Sequence, residues 1–222
     1  EILTAREKGR TRSEILARLA SGESGLAVGT HALFQEEVGF RDDYRTVHYI
    51  ANAKVNPPLR APEDREVLWA AIARGDIDTI ATDHIHRPIS CKDGGIWKAQ
   101  PGFPGLDALL PALLTYGHER RELPLEKLVP LISENPARRM GLNAKGVLRP
   151  GADADIAVVD LKADWVVGKE SLGTDAGYSI YEGERMTARV VHTLSRGRFA
   201  LRDGALQDDA VGNGRFVARQ LR

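Results

Sequence analysis

Cysteine is nearly absent: Cys91 stands alone in 222 residues. That excludes an internal disulfide framework and a cysteine zinc cluster, and it suits a reducing compartment. Net charge is absent as well, Lys+Arg and Asp+Glu each numbering 31, so no global field draws the chain to nucleic acid or to a membrane surface. No apolar run reaches the roughly 18 to 20 residues of a membrane span. Glu1 to Arg12 is charged rather than signal-like, and the chain starts without Met in helix-like sequence. The expected location is cytoplasmic, and the start reads as a truncation. What is present is ordinary globular material, 42% hydrophobic and 28% charged, enough to bury a core in one domain or two small ones.

Thr11 to Glu14 has capping-box spacing ahead of Ile15, Leu16 and Leu19, and Leu26 to Val28 fits a short strand. The character changes to a charged, turn-like run around Phe40 to Tyr44, where a boundary is expected. Ala53 to Asn56 reads as a strand end broken by Pro57 and Pro58. Pro62, Glu63 and Asp64 then open a helix whose buried face is Val67, Leu68, Ala71 and Ile72, with Gly75 as its stop. Ile77 to Thr82 is a short apolar strand that ends in the polar run Asp83 to Arg87. A helix followed by such a strand is the unit of a parallel α/β sheet. Leu106, Leu109, Leu110, Leu113 and Leu114 mark a helix closed by Gly117. Leu125 to Ile132 marks another that Pro130 should kink, and Asn135-Pro136 caps a third that ends at Gly141. From Gly146 short strands take over: Ala154 to Val159, Trp165 to Val167, Arg189 to Leu194 and Arg198 to Arg202, the last followed by Asp203-Gly204.

Asp83 is the first candidate for chemistry. A carboxylate at the C-terminal end of a barrel strand can bind a divalent metal and accept a proton from water as a nucleophile forms, or it can simply cap a turn. His84 and His86 are two apart, so on an extended strand they face one side and can chelate together, or they form a surface pair. His31, His48, His118 and His192 are scattered and read as structural. The rigid Gly102-Phe-Pro-Gly105 turn can bring backbone groups to a small polar ligand, or it can be a plain connection into a helix. Asn56 has donors and acceptors that match a cyclic imide or amide edge, its alternative being a turn beside the solvated Arg60.

Taken in order, five segments resemble the dihydroorotase, hydantoinase and allantoinase branch of the amidohydrolase superfamily: Lys54 to Arg60, Gly75 to His84, Gly95 to Gly105, Ser133 to Ala137 and Gly151 to Asp160. The resemblance covers about residues 43 to 210. It implies an α/β fold, the C-terminal part of a metal-dependent (β/α)8 barrel with part of an accessory β-sandwich, the barrel being incomplete in this chain. It implies hydrolysis of a ring amide by metal-bound hydroxide, with one or two divalent metals, zinc first. Asp83 would be the last-strand metal ligand and proton shuttle, and Asn56, Pro101 and Gly102 would contact substrate. The partners implied are a small cyclic amide and, for the whole protein, further copies of itself in a homo-oligomer, with neither nucleic acid nor membrane.

Dihydroorotases read Asp-His-Ala-Pro-His, the final His contacting a substrate carboxylate. The same count here gives Arg87, which can hold a carboxylate bidentately; hydantoins, dihydropyrimidines and allantoin stay open. The family's His-x-His pair, bridging lysine and two further histidines lie upstream of the matched region, so this chain is expected to be inactive alone. Residues 1 to 40 resemble RecG-type DNA helicases through Leu3 to Arg10, Ile15 to Gly22 and Val28 to Glu36, but the phosphate-binding Gly-Lys-Ser/Thr motif is missing. The expected organisation is therefore a helicase-like segment at 1–42 across a spurious junction, barrel at 43–145, and sandwich strands at 146–222. A nucleic-acid-binding remnant and a non-catalytic scaffold are the alternatives.

Overall fold

A computed structural model describes residues 28–29, 51–59, 62–171 and 173–220. The Thr11 to Leu19 helix, Arg60 and most of the helicase-like words lie outside the described residues. Within that first segment only β1 (Val28–Gly29) is described, which shares Val28 with the expected Leu26 to Val28 strand. It pairs in parallel with β2 (Thr79–Ile80), Val28 opposite Thr79.

Helix α1 (Pro62–Arg74) starts where Pro62, Glu63 and Asp64 suit the first turn, in which proline loses no bond and acids meet the exposed N–H groups. It ends with the Gly75 N–H on the Ile72 carbonyl and the Asp76 N–H on that of Ala71, the paired bonds of a Schellman stop. Its buried residues are Trp69 and Ile72, whereas Val67 is 50% exposed. The core took the large indole of Trp69 and left Val67 outside, which a simple apolar stripe does not foresee.

Further expectations are corrected here. Ala53 to Asn56 is a turn and irregular chain rather than a strand end. The Ile77 to Thr82 strand shrinks to Thr79–Ile80, because the polar segment beyond it turns away to meet another loop. Leu106 is 59% exposed and outside its helix, which begins as α2 (Leu109–Ala112) and continues as a π-wound turn, Leu113–Glu119, through Gly117. Gly117 does not end that helix: it lies buried against Leu128 and Trp69, so close that a Cβ would stand 3.0 Å from each side chain.

Helix α3 (Leu125–Ile132) runs two residues past Pro130 and breaks at Ser133. Helix α4 (Glu134–Arg139) follows at once. Asn135 does not cap α4; its amide donates to the Asp78 carbonyl at 2.9 Å and ties the helix to the approach to β2.

The C-terminal part is antiparallel. Strands β3 (Ile156–Asp160), β6 (Arg189–Ser195), β7 (Arg198–Arg202) and β8 (Ala205–Leu206) form one sheet in the order β3-β6-β7-β8, and β4 (Trp165–Val166) pairs with β5 (Arg185–Met186) apart from it. Both hairpin turns of the larger sheet, Arg196-Gly197 and Asp203-Gly204, have two successive positive φ angles. That geometry matches the twist of the strands it joins. The apolar core draws on residues from Ala53 to Met186: Trp69, Ile72, Ile77, Phe103, Leu113, Tyr116, Leu128, Tyr181 and Met186 all belong to it. Tyr116 Oη donates to Glu184 at 3.2 Å and the Thr187 N–H donates to Thr115 Oγ1 at 3.0 Å, joining the π-wound turn to the region of β5.

Candidate functional site

Asp83 lies three residues beyond β2, exposed, at φ 48. Aspartate tolerates this left-handed backbone better than most residues do. The turn sends the following residues back across the loop that contains Gly102. His84 Nδ1 accepts the Gly105 and Leu106 N–H groups at 3.2 and 3.3 Å, which places its ring proton on Nε2. The Ile85 N–H donates to the Phe103 carbonyl at 3.2 Å, and Arg87 Nε donates to the Pro101 carbonyl at 3.3 Å. Residues 84–87 are thus stitched to residues 101–106.

The same loop is held from below. The Gly102 N–H donates to the Lys54 carbonyl at 2.9 Å, two residues before the exposed Asn56. Lys92, on a 3-10 turn (Ile89–Lys92) and only 2% exposed, donates from one Nζ to the carbonyls of Gly102 (2.5 Å), Gln100 (2.8 Å) and Lys54 (3.4 Å). Burial, then the nearby Arg87 and Lys54 cations, lower its pKa from 10.5 to about 8. Gly102 sits at φ +99, and a Cβ there would come within 2.8 Å of Ile85. Only glycine fits this backbone and this approach.

Three segments named from sequence therefore do converge: the Lys54 to Asn56 turn, the Asp83 to Arg87 run and the Pro101 to Gly105 loop. The expected roles within them shift. His84 and His86 do share one side, both lining a cleft of about 200 Å³ with Leu106, Asp107 and residues 173–175. Their described bonds run to other groups: His84 Nδ1 accepts from the loop and His86 Nε2 lies 2.6 Å from Asp175 Oδ1. Arg87 is partly spent on Pro101, and both backbone groups of Gly102 are already bonded. Pro101 and Gly102 owe their positions to these bonds. Sequence reasoning missed Lys92 and Asp175. Lys92 sits among Cys91, Asp93 and two glycines with no periodic signal, and Asp175 meets His86 across 89 residues.

Among the described residues no group of three or more His, Cys, Asp or Glu side chains is arranged to hold a metal ion. Asp83 offers one exposed carboxylate. His84 Nε2 faces no described partner, but it is a single imidazole nitrogen. The described residues do not make a metal site by themselves.

A model described as the amidohydrolase family matches residues 12–200, a span that includes most of the stretch in which the sequence resembles a helicase. The chain is similar to an allantoinase from Rubrobacter xylanophilus, 38% identical over 179 residues, 80% of this chain and 39% of that protein. It is similar to a dihydroorotase from Methanothermobacter thermautotrophicus, 39% identical over 164 residues, 74% of this chain and 36% of that one. The solved L-hydantoinase (dihydropyrimidinase) from Arthrobacter aurescens superposes with a TM-score of 0.75 at 30% identity, covering 88% of this chain and 43% of that structure. The chain spans less than half the length of the curated relatives it matches.

Proposed function

The chain belongs to the amidohydrolase family, and we propose that it is the C-terminal part of a cyclic amidohydrolase that hydrolyses a ring C–N amide bond. The observation that carries this reading is the convergence of the Asp83 to Arg87 run, the Pro101 to Gly105 loop and the Lys54 turn. An exposed carboxylate follows a parallel strand, and the residues just after it are tied to a loop that five separate fasteners hold in place. Rigid surroundings of this kind suit a group that must meet a small substrate in one geometry. Asp83 takes the proton from the attacking water and returns it to the ring nitrogen as the amide opens, a carboxylate's ordinary service as base and then acid.

Asn56, exposed at the edge of the same cluster, supplies an amide that matches the ring's N–H and C=O edge. Pro101 and Gly102 shape the wall on which the ring rests. Arg87, with one N–H on Pro101, keeps the outer face of its guanidinium for a substrate carboxylate, which favours a dihydroorotate-like ring. A hydantoin or allantoin ring is the second reading, supported by the likeness to the solved L-hydantoinase and the allantoinase. The family is generally metal-dependent, and a divalent ion, zinc first, is the group Asp83 would help hold. The described residues supply one ligand, Asp83.

The division at residues 43–145 and 146–222 follows the change from helices around β2 to the antiparallel strands, and the four-stranded sheet is read as one layer of an accessory sandwich beside an incomplete barrel. A cytoplasmic setting and self-association of the whole protein belong to the same reading, as does inactivity of this chain alone.

The test is ring opening of dihydroorotate, hydantoin and allantoin with added zinc. The chain is assayed alone and after mixing with the N-terminal half of the Rubrobacter allantoinase. Activity is expected only in the mixture, and Asp83→Asn should lower it by about a thousandfold or more, the scale of losing an essential general base. Ring opening that survives Asp83→Asn removes Asp83 from the chemistry. No ring opening of any of the three in any reconstituted mixture counts against a cyclic amidohydrolase.

A further inference from the structure

We propose that Lys92 is a positioning residue: its single buried ammonium gathers the carbonyls of Lys54, Gln100 and Gly102 and so fixes the loop beside Asp83 at one height and tilt. The proposal deepens the hydrolase reading and rests on it for its functional consequence. Its structural content stands separately.

The geometry leaves little room for a passive lysine. An ammonium has three donors and no acceptor, and all three point to main-chain oxygens rather than to a carboxylate. Among the described residues no carboxylate pairs with Lys92, Lys54 or Arg87, and Arg87 and Lys54 face Lys92 as like charges with Cys91 alongside. Keeping a cation buried among cations is unfavourable. It is maintained where a carbonyl it serves, that of Gly102, would otherwise be buried without its donor, which costs more than the bond itself gains.

Those carbonyls also belong to the right places. Lys54 leads to Asn56, and Gln100 and Gly102 bracket Pro101. The bonds from Lys92 and Arg87 take the carbonyls of Gln100, Pro101 and Gly102 in succession, and the Ile85 N–H takes that of Phe103. Four consecutive carbonyls thereby each have a protein donor, which holds the loop in one conformation. Lys54 repeats the device on a smaller scale, its Nζ donating to the Ile96 carbonyl at 2.8 Å.

The experiment compares amide hydrogen exchange in the wild-type chain, Lys92→Met and Lys92→Gln. The probes are Gly102, whose N–H bonds Lys54, and Ile85, whose N–H bonds Phe103. In Lys92→Met both should exchange roughly tenfold to a hundredfold faster while the β6–β7 hairpin amides stay unchanged, the mark of a local opening. Lys92→Gln is uncharged and shorter but keeps two donors, so it should fold more readily and show a smaller rise at the same two amides.

Unchanged protection at Gly102 and Ile85 in a folded variant overturns the proposal. A rise shared equally by the hairpin, or failure of both variants to fold, also overturns it, because Lys92 would then add only to global stability. In the reconstituted enzyme Lys92→Met should raise KM with kcat held within about threefold, as expected for uniform loss of substrate binding. Absence of turnover in every mixture counts against the hydrolase reading alone and leaves the exchange result to decide the role of Lys92.

Discussion

The loop beside Asp83 and the sheet β3-β6-β7-β8 are built by opposite means. The loop from Gln100 to Leu106 contains no regular secondary structure, yet Gly102, Phe103, Pro104 and Gly105 are all buried, and its polar groups meet a lysine, an arginine, a histidine ring and two backbone segments. The sheet has an ordered ladder of backbone pairs, yet none of the residues in its four strands is fully buried, and Leu206 is 81% exposed. The difference teaches that regularity and rigidity are separate properties. A ladder satisfies the backbone whatever the side chains do. An irregular loop must have each N–H and C=O answered individually, and where the answers come from buried side chains its conformation is fixed as firmly as that of a helix.

The largest effect is expected from comparing a residue of the apolar core with one of the sheet. Leu128, fully buried beneath the π-wound turn, should cost about 3 kcal/mol as Leu128→Ala, within the range for cavities in a packed core. Leu194→Ala, on the half-buried β6, should cost about 1 kcal/mol. Urea unfolding of the two variants decides it; equal losses would mean that the sheet carries more of the packing than its exposure indicates.

A titration sharpens the loop side. Because the folded pKa of Lys92, about 8, lies below the ordinary 10.5, the unfolded chain binds a proton that the folded chain has lost throughout the window between them. Stability from this group therefore rises with pH from 8 towards 10.5, with a slope of up to about 1.4 kcal/mol per pH unit. Wild type minus Lys92→Met, followed by urea unfolding across that window, should show the slope; a flat difference would mean that the ammonium is better hydrated than its burial implies.

The smallest effect belongs to the sheet side. Burial alone would raise the pKa of Asp155, but the hydrogen bond from Lys145 and the one from the Arg196 N–H outweigh it and hold the carboxyl below its ordinary value. The stability this gives is present above about pH 3.8 and is lost as pH falls through the lower folded value. With partly exposed partners it should amount to about 0.5 kcal/mol. Acid titration of wild type against Asp155→Asn should show a difference of that size that vanishes at low pH, and a difference that persists there would point to a role other than charge.

Much of the fold was written in local pattern. Pro62, Glu63 and Asp64 announced α1, Gly75 ended it, Leu125 to Ile132 matched α3 residue for residue, and Arg198 to Arg202 with Asp203-Gly204 marked β7 and its turn. These signals depend on backbone preferences acting within a few residues. Readings failed where a distant neighbour decided the outcome. Val67 lost its burial to Trp69 and Leu106 was left outside its helix, while Gly117 stayed within a helical turn because Leu128 and Trp69 press on it from elsewhere. In the candidate site the sequence brought forward Asp83, Asn56, Arg87, Pro101 and Gly102, but not the bonds among their segments.

By itself the sequence determined the order of elements, the turn glycines, the near-neutral charge and the family motifs that lead to Asp83, since all of these reside in residue type and spacing along the chain. Only the tertiary structure decided that His84 accepts the loop's Gly105 and Leu106 N–H groups, that His86 faces Asp175, and that Lys92 lies buried under three carbonyls. Those outcomes depend on which groups meet after the chain has folded back on itself. Desolvation and hydrogen-bond geometry act through space between residues as far apart as 89 positions, a separation that local spacing does not encode.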